Sequence, residues 1–127
     1  VRWRAGPFEL WTGDHFALPS TVTAGIAAAY DRAALVAMPP AMQKGYAAKL
    51  AELMPKGAAA LLIALDFDGA KMPGPPFPIS EREILSLFQG PFGIDVLEHR
   101  DGLEQSQNLK VRGITALDEA AYRLRRV

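Results

Sequence analysis

Three apolar, strand-like runs in this 127-residue chain end in groups that can do polar chemistry. Phe8-Glu9-Leu10-Trp11-Thr12 leads into Gly13-Asp14-His15-Phe16. Ile26 to Tyr30 leads into Asp31-Arg32, and Ala58 to Leu65 leads into Asp66-Phe67-Asp68. In an open parallel sheet, ligands bind in the crevice beyond the carboxyl ends of the strands, so parallel strands here put all three sets on one edge. Each set alone has a plain explanation, because strand ends are usually polar; their convergence is what points to a site. The Arg32 guanidinium can grip an anion or carboxylate through a fork of hydrogen bonds, or it can pair with Asp31 or another nearby carboxylate. Asp14 can accept hydrogen bonds from a ligand's hydroxyl or amino groups, or simply form a turn after Gly13.

The elements that must position these groups are legible from spacing. Val1 to Arg4 alternates, Ala5-Gly6-Pro7 marks a turn, and Phe8–Thr12 reads as a half-buried strand completing a hairpin or joining a sheet. Ile26–Tyr30 reads as a buried strand. Pro39-Pro40 suits a helix start, with Met42, Tyr46, Leu50 and Leu53 inward and Gln43, Lys44, Lys49 and Glu52 outward. Pro55-Lys56-Gly57 stops that helix. The unbroken apolar run Ala58–Leu65 predicts a strand covered on both faces. Residues 26–65 thus read as a βαβ unit with parallel strands. Asp68–Pro78 is a Gly- and Pro-rich loop, and Ser80 with Glu83 spells a capping box opening a helix with Ile84, Leu87 and Phe88 inward. A strand over 92–98, an exposed polar stretch from Asp101 to Lys110 and a last strand near 121–127 follow. The class is α/β, in a single domain without repeats.

Composition excludes several functions. Half the residues are hydrophobic and 22% are charged, as in a globular protein that buries roughly two-thirds of its unfolded surface. Fourteen basic residues balance fourteen acidic ones, against a nucleic-acid binder. Without cysteine there is no disulfide framework, thiolate metal site or cysteine nucleophile. No run is long enough to span a bilayer and no signal peptide is evident, so a cytoplasmic address is expected. His99-Arg100-Asp101 echoes a kinase catalytic loop, but the required Asn is misplaced and no glycine-rich phosphate loop accompanies it. His15 with Asp14, Asp66 and Asp68 lacks metal-ligand spacing, and no metal is expected. Ser20, Ser80 and Ser86 lack a nucleophile elbow. Pro73-Gly74-Pro75-Pro76-Phe77-Pro78, directly after a buried strand, reads as a structured active-site loop more readily than as a docking motif.

Three blocks then resemble one family closely: Glu9-Leu10-Trp11-Thr12-Gly13-Asp14-His15-Phe16-Ala17-Leu18, Tyr30-Asp31-Arg32-Ala33-Ala34-Leu35-Val36-Ala37 and Gly74-Pro75-Pro76-Phe77. Their order and spacing, and the ending from Arg112-Gly113-Ile114 through Tyr122-Arg123-Leu124, are similar to the thiopurine S-methyltransferase family over nearly the whole chain. The resemblance implies a class I, Rossmann-like methyltransferase that uses S-adenosyl-L-methionine and methylates the thiol of thiopurines or other aromatic and heterocyclic thiols. By the same resemblance, Asp14 and His15 lie beside the adenine end of the cofactor. Arg32 lines the cofactor and substrate pocket and offsets the substrate's negative charge, and Pro75, Pro76 and Phe77 cover the substrate. His15 stands where the bacterial pattern has Phe.

The family's first strand with its glycine-containing loop, and the acidic residue ending its second strand, have no counterpart before Val1. In the class I sheet order 3-2-1-4-5-7-6, Phe8–Thr12 becomes strand 3 and Ile26–Tyr30 strand 4. Residues 1–127 are therefore expected to be the C-terminal part of one methyltransferase domain, lacking the first two strands. Strand 3 then has no sheet partner and strand 4 has one bare edge, which favours self-association. The expected partner is a small-molecule thiol, with neither nucleic acid nor membrane involved. The alternative is a non-catalytic α/β remnant serving as a binding or assembly module.

Overall fold

The structure is a computed structural model that describes residues 1–127. Strands β1 (Arg2–Ala5) and β2 (Phe8–Trp11) form an antiparallel hairpin turned at Gly6, whose φ of +58° suits glycine. The hairpin stands apart from the main sheet and all its residues are exposed. Of the two placements read for Phe8–Thr12 the hairpin is the one formed, and the half-buried reading is corrected, since every residue of the strand is exposed. Trp3, Ala5, Phe8 and Leu10 do share one face through the pairs Trp3–Leu10 and Ala5–Phe8, but nothing packs on it. Alternation marks which side of a strand is apolar; it does not supply a cover.

The main sheet has the order β3-β4-β6-β5, with β3 Ala28–Asp31, β4 Ala59–Asp66, β5 Phe92–Asp101 and β6 Asp118–Arg126. β3 and β4 are parallel, as the βαβ reading requires, while β6 runs antiparallel to both β4 and β5. A short helix α1 (Ala34–Ala37) and the long helix α2 (Pro40–Leu53) connect β3 to β4. Helix α3 (Glu81–Phe88) precedes β5, and α4 (Gln107–Val111) precedes β6. The outer edge of β3 has no neighbour.

The core lies on one face of this sheet. Ala60, Leu62, Tyr122 and Leu124 are buried there against Leu35, Tyr46, Leu50, Ile84 and Phe88. The reverse face is uncovered: Leu61 is 40% exposed and Tyr30 65%. The run Ala58–Leu65 is therefore covered on one face, not two. Fully burying a leucine is worth roughly 1.5–3 kcal/mol, which Leu62 gains and Leu61 gains only in part.

Helix α2 starts with Pro40 in its first turn and ends at Leu53, as its prolines and Pro55-Lys56-Gly57 predict. Its buried residues are Gln43, Tyr46, Ala47, Lys49, Leu50, Ala51 and Leu53, so Met42 is exposed and Gln43 and Lys49 are buried, opposite to the sequence reading. Tyr46, Leu50 and Leu53 are buried as read, and Met42, on the same side but in the first turn, is left exposed. The polar ends are satisfied locally. Gln43 Nε2 donates to the Met38 carbonyl at 3.2 Å, and Lys49 reaches Glu52 at 2.9 Å along a buried stem. The Ser80–Glu83 capping box is present, with the Glu83 amide on Ser80 Oγ at 3.2 Å and the Ser80 amide on Glu83 Oε2 at 2.7 Å. The polar stretch after Asp101 is mostly exposed, yet Gly102 is buried against Leu117 and Glu119, and Leu109 is buried where α4 docks it with Phe67, Met72, Ile114 and Leu117. No helix is long and apolar enough to cross a membrane.

Candidate functional site

At the carboxyl end of β3, Asp31 is buried and fully engaged. Its Oδ1 accepts from the amides of Ala34 at 3.0 Å and Leu35 at 3.4 Å, which holds the first turn of α1. Its Oδ2 accepts from Tyr46 Oη on α2 at 2.5 Å. Burial, followed by the hydrogen bond to Asp31, pushes the Tyr46 phenol far above its usual range, so it stays a donor. Arg32, next in sequence, is exposed and takes none of Asp31's oxygens. Of its two readings, the ion pair with Asp31 is not formed.

Asp14 and His15 approach by a different route, since β2 is not a strand of the main sheet. Asp14 Oδ1 accepts from the Phe16 amide at 2.9 Å and caps the 3-10 turn His15–Ala17, the turn-forming role anticipated for it. The His15 ring stacks on Tyr46, with ring centroids 5.4 Å apart and planes inclined by 27°. A Cβ at Gly45 would come within 3.8 Å of Phe16, so the turn lies close over α2. His15 Nε2 is buried without a partner. Trp11, Asp14, His15, Leu18 and Pro19 line a cleft of about 250 Å³.

The loop carrying Pro75, Pro76 and Phe77 is tied to the same region. The Phe77 amide donates to the Val36 carbonyl of α1 at 2.7 Å, four residues beyond Arg32, and the Ile79 amide donates to the Leu65 carbonyl of β4 at 2.8 Å. Arg112 Nη1 donates to the Pro75 carbonyl at 3.2 Å. Gly74 has φ of +86°, and a Cβ there would meet the Phe77 ring at 2.7 Å, so this turn requires glycine. At the end of β4, Asp66 faces Asp118 across the strand pair. Burial first, then the charges of Glu83 and Asp118, raise its carboxyl above the ordinary value.

The three sets of groups therefore do not meet on one parallel-strand edge, as first expected. Asp31-Arg32 and Asp66 occupy the carboxyl ends of parallel strands, whereas Asp14 and His15 are joined to them through Tyr46. Tyr46 was legible only as a core residue. The signal that could have found its second role is a phenol on an otherwise apolar helix face, because a buried hydroxyl needs an acceptor.

The sheet order β3-β4-β6-β5, with the last pair antiparallel, is the 4-5-7-6 half of the class I methyltransferase sheet. Two solved structures share this fold. One comes from work on conversion of a disulfide bond into a thioacetal group during echinomycin biosynthesis (TM-score 0.61, 13% identity, 90% of this chain and 54% of that one). The other is the [4+2]-cyclase SpnF (TM-score 0.55, 11% identity, 91% and 54%). The sequence model of the thiopurine S-methyltransferase (TPMT) family matches residues 1–127, and the chain belongs to that family. It is 42% identical to the thiopurine S-methyltransferases of Pseudomonas fluorescens (strain Pf0-1), over 125 residues, and Xanthomonas campestris pv. campestris (strain 8004), over 122. These alignments take in 98% and 96% of this chain but 57% and 56% of the relatives, so the chain spans little more than half their length.

Proposed function

We propose that residues 1–127 are one part of a single methyltransferase domain that transfers a methyl group from S-adenosyl-L-methionine to the thiol of a thiopurine or another aromatic or heterocyclic thiol. The observation that carries this reading is Arg32, exposed at the carboxyl end of β3 while its neighbour Asp31 is committed to Tyr46 and α1. A thiol on an electron-poor ring ionises readily, so the site needs positioning and a cation more than a strong base. Arg32 offsets the negative charge of the thiolate. Pro75, Pro76 and Phe77, pinned to α1 through Val36, cover the substrate.

The cofactor supplies an electrophilic methyl on a sulfonium. Asp14 and His15 suit its adenine end: Asp14 keeps one carboxylate oxygen clear of the Phe16 amide, and His15 Nε2 is a buried atom in want of a partner. Leaving such a group unpaired costs about 1–3 kcal/mol, which a ligand's hydrogen bond would recover. The cleft beside them, about 250 Å³, is smaller than the ~300–1,000 Å³ of pockets for drug-sized ligands, so it takes part of the cofactor. The glycine-containing loop and the acidic residue of the family pattern are not among these residues.

A second reading is favoured by the open edge of β3 and the uncovered apolar face bearing Tyr30, Leu61 and Leu97. On that reading the chain is a non-catalytic module that associates with itself or another polypeptide through the sheet. Calorimetric titration of the folded chain with S-adenosylhomocysteine separates the two. Saturable one-to-one binding supports the methyltransferase reading and justifies an assay with a thiopurine acceptor. A folded chain that binds nothing favours the module.

A further inference from the structure

We propose that Tyr46 is a positioning residue that couples the two halves of the candidate site: its ring carries His15 and its hydroxyl holds Asp31, so the turn bearing Asp14 and His15 and the turn presenting Arg32 are set by one side chain. The functional meaning of this coupling rests on the reading that Asp14, His15 and Arg32 line the cofactor pocket.

The geometry is specific. Tyr46 is nearly fully buried on α2, midway between two segments distant in sequence. On one side the His15 ring lies stacked on it at 5.4 Å, and the adjoining Phe16 passes over Gly45. On the other side its hydroxyl meets Asp31 at 2.5 Å, and the same carboxylate's second oxygen holds the amides of Ala34 and Leu35. A carboxylate held at both oxygens has little rotational freedom, and hydrogen bonds to a charged acceptor are about twice as strong as neutral ones. The turn containing Arg32 is thereby fixed from the α2 side. An apolar side chain of similar shape would fill the same space but leave Asp31 buried with one oxygen unpaired. Core packing accounts for the ring; it does not account for the hydroxyl.

The test uses Tyr46→Phe and Asp31→Asn in the full 127-residue chain, read by amide hydrogen exchange, with Leu62 and Tyr122 as internal references for global stability. Tyr46→Phe should speed exchange at Ala34 and Leu35 about tenfold relative to those references, as expected for loss of one charge-assisted hydrogen bond. The resonances of His15 should stay in place, because the ring is kept. In the Asp31→Asn background, where the charge-assisted bond is already replaced by a neutral one, Tyr46→Phe should speed exchange at Ala34 and Leu35 by less than it does in the parent. Tyr46→Leu should instead shift the His15 ring resonances. Unchanged relative exchange at Ala34 and Leu35 in Tyr46→Phe, or additive effects in the double variant, overturns the coupling. Calorimetry with S-adenosylhomocysteine on the parent and Tyr46→Phe chains is a separate arm. A parent that does not bind counts against the cofactor reading alone, and the exchange result still decides whether Tyr46 couples the two turns.

Discussion

The ring of His99 on β5 stands between two carboxylates, with Nδ1 2.6 Å from Asp118 Oδ2 on β6 and Nε2 2.7 Å from Glu81 Oε2 at the start of α3. Asp118 first, then Glu81, raise the imidazole's affinity for its proton above the ordinary 6.5. The protonated ring therefore ties α3 to the sheet edge. Because the folded value lies above the unfolded one, the stabilisation is complete below pH 6.5 and is lost as pH rises through the folded value. Urea midpoints measured upward from pH 6 should fall over that window, and His99→Gln should flatten the fall. Added salt should weaken the effect, since the groups are exposed. An unchanged profile in His99→Gln would remove His99 as its source.

Asp66 gives a test of the same sign from a carboxylate. Its folded value is raised, so its contribution is fully present below the unfolded value of 3.8 and is lost as pH rises through the folded one. At neutral pH the ionised group is held in a half-buried place near Glu83 and Asp118. Asp66→Asn should therefore raise the urea midpoint at pH 7, with the gain shrinking as the pH is taken down towards 3.8. A lower midpoint at pH 7 would contradict the assigned direction.

Neighbouring leucines on β4 should behave oppositely. Leu62 is completely buried under the helices, so Leu62→Ala should cost about 2–5 kcal/mol. Leu61 lies on the uncovered face, and Leu61→Thr should change stability by no more than about 0.5 kcal/mol while reducing association through that face. Denaturation curves and sedimentation velocity read the two effects. Equal destabilisation by both would mean that the reverse face is covered in solution.

Arg32→Ala isolates the proposed cation. Arg32 makes no pairing with Asp31, so stability should move by less than about 0.5 kcal/mol. Made at the matching position of a complete family member, the same change should lower kcat/KM for a thiopurine at least about tenfold, with Arg32→Lys intermediate because a point charge replaces a fork. Intact methyl transfer together with intact cofactor affinity would exclude this role for Arg32.

Much of this architecture is written locally. The Ser80–Glu83 cap and the proline start of α2 depend on residues a few positions apart, and they appear where spacing puts them. The site was half legible. Arg32 follows the end of its strand as read, because the apolar run stops at Asp31-Arg32, although that run is mostly exposed and only Asp31 in it is buried. Spacing alone places Asp14 and His15 on the same parallel-strand edge, and the structure differs because β2 pairs only with β1. Pairing partners are chosen across distances that alternation within one strand does not encode.

By itself, then, the sequence determined the α/β class, the family resemblance, the limits of α2, the start of α3 and the identity of the polar groups that end each strand, but not α1 or α4. Tertiary structure alone decided which face of β4 is covered, that Gln43 rather than Met42 turns inward, and that Tyr46 joins His15 to Asp31. The division follows from the range of the forces involved. Caps, turns and periodicity act within a few residues, whereas burial and the pairing of a buried hydroxyl depend on what the rest of the chain brings alongside.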